Sequence, residues 1–128
     1  MKAIVATLVL LLTASGTALG ADAKAEFPAF CEEWMSKLAA REKRNVSLIK
    51  WDENGSNVSG SYIGYSNQHS CIFKEDSGPV PVGKITYLEV RYEKRGNTRE
   101  EAERSPAQAV ETTEVTEIFR YAKDQWVY

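Results

Sequence analysis

The sequence is short of histidine, cysteine and clustered positive charge, and each shortage narrows what the chain can be. It holds one histidine and two cysteines. Zinc usually takes four ligands from His, Cys and carboxylates. With both cysteines joined, His69 would have only carboxylates beside it, so no metal and no cofactor are expected. Lys and Arg number 16 against 18 Asp and Glu, a formal charge of −2. That balance lacks the basic patch that nucleic acid binding requires and the polybasic tail that a membrane surface attracts. A membrane-spanning run is also lacking. The one apolar stretch, Ala3–Leu12, is interrupted only by Thr7 and is about half the ~20 residues that a spanning helix needs.

That stretch follows a short basic start and precedes small residues (Thr13–Ala23), which is the pattern of a secretory signal peptide. Cleavage after Gly20 is preferred, with Ala23 as the other candidate. The reading therefore divides the chain into a cleaved leader, residues 1–20, and one small domain, residues 21–128. Loss of the leader removes one basic residue and no acid, leaving a charge of −3. The mature protein is expected to be soluble and exported, periplasmic or secreted, with no stable membrane insertion.

Phe27–Arg44 reads as an amphipathic helix. At about 100° per residue, Phe27, Phe30, Cys31, Trp34, Met35 and Leu38 form one stripe. Glu32, Glu33, Ser36, Ala40 and Lys43 fall opposite. Pro28 suits the first helical position. Acids near the start and bases near the end, including the run Arg41–Arg44, complement the helix dipole.

After Asn45 the pattern turns to strands. Val46–Trp51 is β-prone, and Asn54-Gly55 signals a hairpin. Val58–Ser66 reads as the return strand, and His69–Lys74 as a third strand after a short polar turn. Lys84–Lys94 alternates, with Thr86, Leu88, Val90 and Tyr92 on one face and Ile85, Tyr87, Glu89 and Arg91 on the other. Thr98 and Glu101 have capping-box spacing, which opens a short helix ending near Ser105. Glu111–Ala122 and Trp126–Tyr128 complete the set. The fold class is α+β: one long N-terminal helix on a curved, mainly antiparallel sheet of about five to six strands, with a short helix before the last strands.

In an oxidising compartment an even cysteine count points to disulfides. Cys31 on the helix stripe and Cys71 in a strand would clamp helix to sheet. The chain-entropy model values such a closure at about 4 kcal/mol. The bond removes the free thiol that a Cys–His nucleophile needs. Ser66 and Ser70 beside His69 lack the glycines of a nucleophile elbow. Strand glutamates 89, 93, 114 and 117 have Arg91 and Arg120 as neighbours, so ion pairing accounts for them.

The strands are crowded with aromatics, and His69 with Tyr65 and Tyr62 marks a candidate ligand-binding rim at the helix–sheet junction. The sequence thus suggests a non-catalytic binding or accessory protein of the cell envelope, with an unidentified protein or small ligand as partner. A secreted inhibitor or structural accessory is one alternative, and a small hydrolase using His69 another. Asn45, Asn54 and Asn57 match the N-glycosylation pattern. The segment Thr116–Tyr128, a β-hairpin carrying a tryptophan, resembles the last strand pair of cone-shaped nuclear-transport-factor-2-like domains. That resemblance covers about a tenth of the chain, implies a curved sheet around a pocket, and carries no functional residue with it.

Overall fold

The computed structural model describes residues 16–128, and side-chain surroundings from residue 20 onward. The expected leader falls mainly on residues 1–15, outside the described residues. The element order is α1 (Gly16–Ser47), β1 (Asp52–Asn54), β2 (Asn57–Lys74), β3 (Val82–Gly96), α2 (Arg99–Arg104), β4 (Gln108–Ala122) and β5 (Gln125–Val127). The strands form one antiparallel meander in the order β1-β2-β3-β4-β5. The sheet curls as a half-barrel with α1 packed against it. The α+β class holds, with five strands.

Helix α1 starts upstream of the expected Phe27, so Pro28 lies inside it. A proline there removes the bond to the carbonyl four residues back and crowds it, at roughly 3 kcal/mol. Packing on both sides of Pro28 offsets this. Ala23 and Phe27 before it and Cys31 after it are buried, and the buried Trp126 Nε1 donates to Ala23 O at 3.0 Å. The predicted stripe is the observed one. Phe27, Cys31 and Leu38 are buried, with Phe30, Trp34 and Met35 packed beside them.

Two strand expectations are corrected. Val46–Trp51 is not a strand. The helix runs through Ser47, and Ile49 and Trp51 pack as irregular chain against Gly60. The strand before the hairpin is instead Asp52–Asn54, paired across a Gly55-Ser56 turn with Gly55 at φ 60°. Glycine in the first of two turn positions suits a primed turn. The polar stretch expected as a turn before His69 is a bulge inside one long β2. Tyr65 pairs with Glu89 and His69 with Tyr87, so β2 carries extra residues between them. The short helix matches its capping box: Thr98 Oγ1 accepts from Glu101 N at 3.1 Å, and Asn97 N donates to Glu101 Oε2 at 3.0 Å.

The sheet is covered on both faces, at opposite ends. Register between β3 and β4 is unbroken from Val82 to Arg91, so side chains alternate without a change of phase. Ile85 and Tyr87 point toward α1, where they join Phe27, Phe30, Trp34, Phe119, Tyr121 and Trp126 in the main core. Val90 points the other way. There Val58, Val90 and Ala102 are buried outside the main core, and Tyr62 stacks on Tyr92 at 5.3 Å. Ile49, Trp51 and α2 cover this second face, with Gly60 under Trp51 and Gly96 under Ala102. Arg99 lies over the Trp51 ring at 5.3 Å. The end of α1 rounds the β2 edge between the two cores. Its Asn45 Nδ2 donates to Ile63 O at 2.8 Å, and Glu42 Oε1 accepts from Tyr65 N at 2.8 Å.

Candidate functional site: the cleft at the β2 bulge

Cys31 and Cys71 form a disulfide with Cα atoms 6.2 Å apart. The bond ties the middle of α1 to β2, and Cys71 Sγ lies 3.9 Å from Phe27 O. Neither cysteine is a free thiol, so a Cys–His nucleophile is absent from this site.

Two residues before Cys71, the bulge opens a cleft of about 470 Å³ between α1 and β2. Met35, Ser36, Ala39 and the carboxylates Glu32 and Glu42 line the helix side. Tyr65, Ser66, Asn67 and His69 line the strand side. Strand alternation puts His69 on the same face as Cys71, toward α1. A regular strand would carry Ser66 to Gln68 past the helix. The extra residues bow the chain and leave space beside it.

His69 is held through one ring nitrogen. Its Nδ1 lies 3.2 Å from Asn67 O, which fixes Nδ1 as the donor when that bond forms. Nε2 is then the atom presented to the cleft, 3.9 Å from Glu32 Oε1. Ser66 Oγ accepts from Gln68 N at 3.2 Å, which shapes the bulge. Ser70 belongs to the opposite face by alternation, so it does not share the cleft with His69.

The structure brings His69 and Tyr65 together as the sequence grouped them, and separates Tyr62. Tyr62 has the other parity on β2 and belongs to the second core, against Tyr92. Its hydroxyl pKa is raised by burial, then by the Glu42 and Tyr92 charges. Tyr65 meets Tyr87 edge-on at 6.0 Å. Tyr87 is pushed up to about 12 by burial and by Glu117, which accepts from its hydroxyl at 3.2 Å. The strand glutamates find other partners than expected: Arg91 pairs with Glu111 at 3.3 Å, Glu93 pairs with Arg95, and Glu117 accepts from Tyr87.

Sequence reasoning missed the helix side of the cleft. Glu32, Met35, Ser36, Ala39 and Glu42 lie three or four residues apart, a spacing that lines one flank of a helix. That flank was visible in the sequence, but the element it faces is set by the disulfide and the bulge. Among the described residues, no group of three or more His, Cys, Asp or Glu side chains gathers as a metal site. Comparison with protein-family models, with curated proteins and with solved structures found no match.

Proposed function

We propose that the protein is an exported, non-catalytic binding domain whose small-ligand contact is the cleft at the β2 bulge. One observation carries this reading. A disulfide anchors α1 to β2 two residues from His69, and the adjoining bulge holds open a cleft where an imidazole, a tyrosine and two carboxylates meet. Small sites of this kind combine apolar lining with a few convergent polar groups. Met35, Ala39 and Tyr65 supply the first; Glu32, Asn67 and His69 supply the second. The acceptors outnumber the donors, so the cleft suits a small ligand bearing hydrogen-bond donors.

Export is supported by the leader pattern, by the disulfide, and by the absence of a helix long and apolar enough to cross a membrane among the described residues. Packing also favours processing after Gly20 over Ala23. Ala23 is fully buried, and its carbonyl receives the Trp126 indole, so cleavage at Ala23 would remove part of the core.

A ligand-observed NMR screen of small amines, alcohols and amides tests the reading. Bound compounds should shift the amides of Tyr65 to His69 and lose binding in Ala39→Trp, which fills the cleft from an exposed helix position. Binding that is indifferent to Ala39→Trp places the site elsewhere. Turnover of an ester or amide probe that disappears in His69→Ala would replace the binding reading with the hydrolase.

A further inference from the structure

The two long outer strands treat their exposed edges differently. The β2 edge is paired with β1 at Asn57–Ser59 and is then met by α1 side chains, Asn45 on Ile63 O and Glu42 on Tyr65 N. On the far side of the sheet, β5 pairs with β4 only at Arg120–Ala122. The remainder of β4 has β3 on one side and, among the described residues, no strand on the other.

Backbone direction along this edge follows from one bond. Tyr121 N donates to Pro81 O at 2.9 Å, on the β3 side. Register from Glu111 to Arg120 is unbroken, so odd-numbered amides face β3. The N–H and C=O groups of Thr112, Glu114 and Thr116 therefore face outward. An edge of unpaired N–H and C=O groups is a template for another strand. Gln108–Glu114 is also exposed along its whole length. The segment contains no proline, and its Val and Thr residues favour extended pairing.

Charge selects the occupant. From Gln108 to Phe119, β4 carries Glu111, Glu114 and Glu117 and no Lys or Arg. Glu111 is paired with Arg91, and Glu117 accepts from Tyr87. Glu114 has no ion pair among the described residues, and its backbone groups face outward. Pairing with a second copy would bring three carboxylates from each chain to one seam with no Lys or Arg between Gln108 and Phe119 on either strand, and like charges opposite one another destabilise a sheet. We infer that the β4 edge is a docking surface for an extended, lysine- or arginine-bearing segment of a partner protein. The segment adds a sixth strand beside Thr112–Thr116, antiparallel to β4 in line with β5, with a basic residue beside Glu114. This is strand addition, in which main-chain bonds give affinity and alternate side chains give selectivity. The surface is separate from the cleft and does not rest on it.

The test uses two synthetic peptides of alternating threonine and valine, one with lysine and one with glutamate at every third position. Amide hydrogen exchange is followed by NMR. With the lysine peptide, exchange at Thr112, Glu114 and Thr116 should slow by about tenfold or more, while Thr113, Val115 and Glu117, already bonded to β3, stay unchanged. Added salt should weaken the effect, and Glu114→Lys, a change at an exposed side chain, should shift preference to the glutamate peptide. Equal protection by both peptides, or none by either, overturns the inference. Protection of the even-numbered amides that rises with protein concentration alone, together with a dimer in sedimentation, gives the edge to a second copy and also overturns it.

Discussion

Gly83 on β3 lies beneath the ring of Phe27, and the site leaves no room for a side chain. A β-carbon there would meet three ring carbons of a side chain that is itself fully buried. The glycine is needed for close approach between strand and helix. Gly83→Ala should lower unfolding free energy by about 1–3 kcal/mol, the usual range for overpacking a filled core. Equilibrium urea unfolding checks this, and an unchanged midpoint would show that the Phe27 ring moves freely. Gly64 differs in kind. Its missing β-carbon leaves space for the Glu42 carboxylate, which reaches past it to Tyr65 N. Both glycines are visible in the sequence, but neither reveals its reason there. Phe27 and Glu42 are distant in the chain and reach these glycines only after α1 has docked.

At the scale of elements, legibility depended on whether the pattern was local. Helix α1, helix α2 with its cap, and the alternation of β3 follow from periodicity and side chain-to-backbone bonding within a few residues. What failed was a matter of partners. Ile49 and Trp51 alternate with exposed Leu48 as in a strand, yet they face Gly60 as irregular chain. Ser66–Gln68 looks like a turn because it is polar, but continued pairing with β3 makes it a bulge. The cleft depends on that bulge, so half of its lining could not be read from the sequence. The disulfide was legible because compartment and helix stripe both pointed to it. It closes a separation of 40 residues, and its removal in the double variant Cys31→Ala/Cys71→Ala should cost about 2–5 kcal/mol in thermal or urea unfolding. The same variant should shift the amides of Ser66 to His69, because Cys71 anchors the strand just beyond the bulge. Loss of stability with those amides unmoved would mean that the cleft is shaped by the bulge alone.

For the molecule as a whole, the β4–β5 hairpin is latched to α1 and β3 by polar contacts over an aromatic core. Phe30 and Trp34 each meet Phe119 edge-on at 4.8 Å, and Phe27 lies 4.5 Å from Trp126. Around this cluster, Tyr121 donates to Glu26 Oε2 at 2.8 Å and Tyr87 donates to Glu117. Tyr121 is pushed up to about 12, first by its hydrogen bond to Glu26 and then by burial and the Glu26 charge. Tyr87 reaches about the same value by burial first. Tyr128 is also raised, chiefly by its hydrogen bond to Glu117. Each native hydroxyl holds its proton above pH 10, where an unfolded tyrosine begins to lose it. In that window the folded state binds more protons than the unfolded state, so stability falls as pH rises. The contribution is fully present below pH 10 and is lost as pH climbs toward about 12. Urea midpoints should therefore fall steeply across this range. Tyr87→Phe and Tyr121→Phe should each start less stable at neutral pH and flatten the alkaline slope, because each removes one titrating latch. Ultraviolet difference titration of the parent against Tyr87→Phe and Tyr121→Phe should show these two hydroxyls ionising with unfolding rather than before it. Early ionisation of Tyr87 and Tyr121 in a chain that stays folded would show that these hydroxyls hold neither β3 to β4 nor the β4–β5 hairpin to α1.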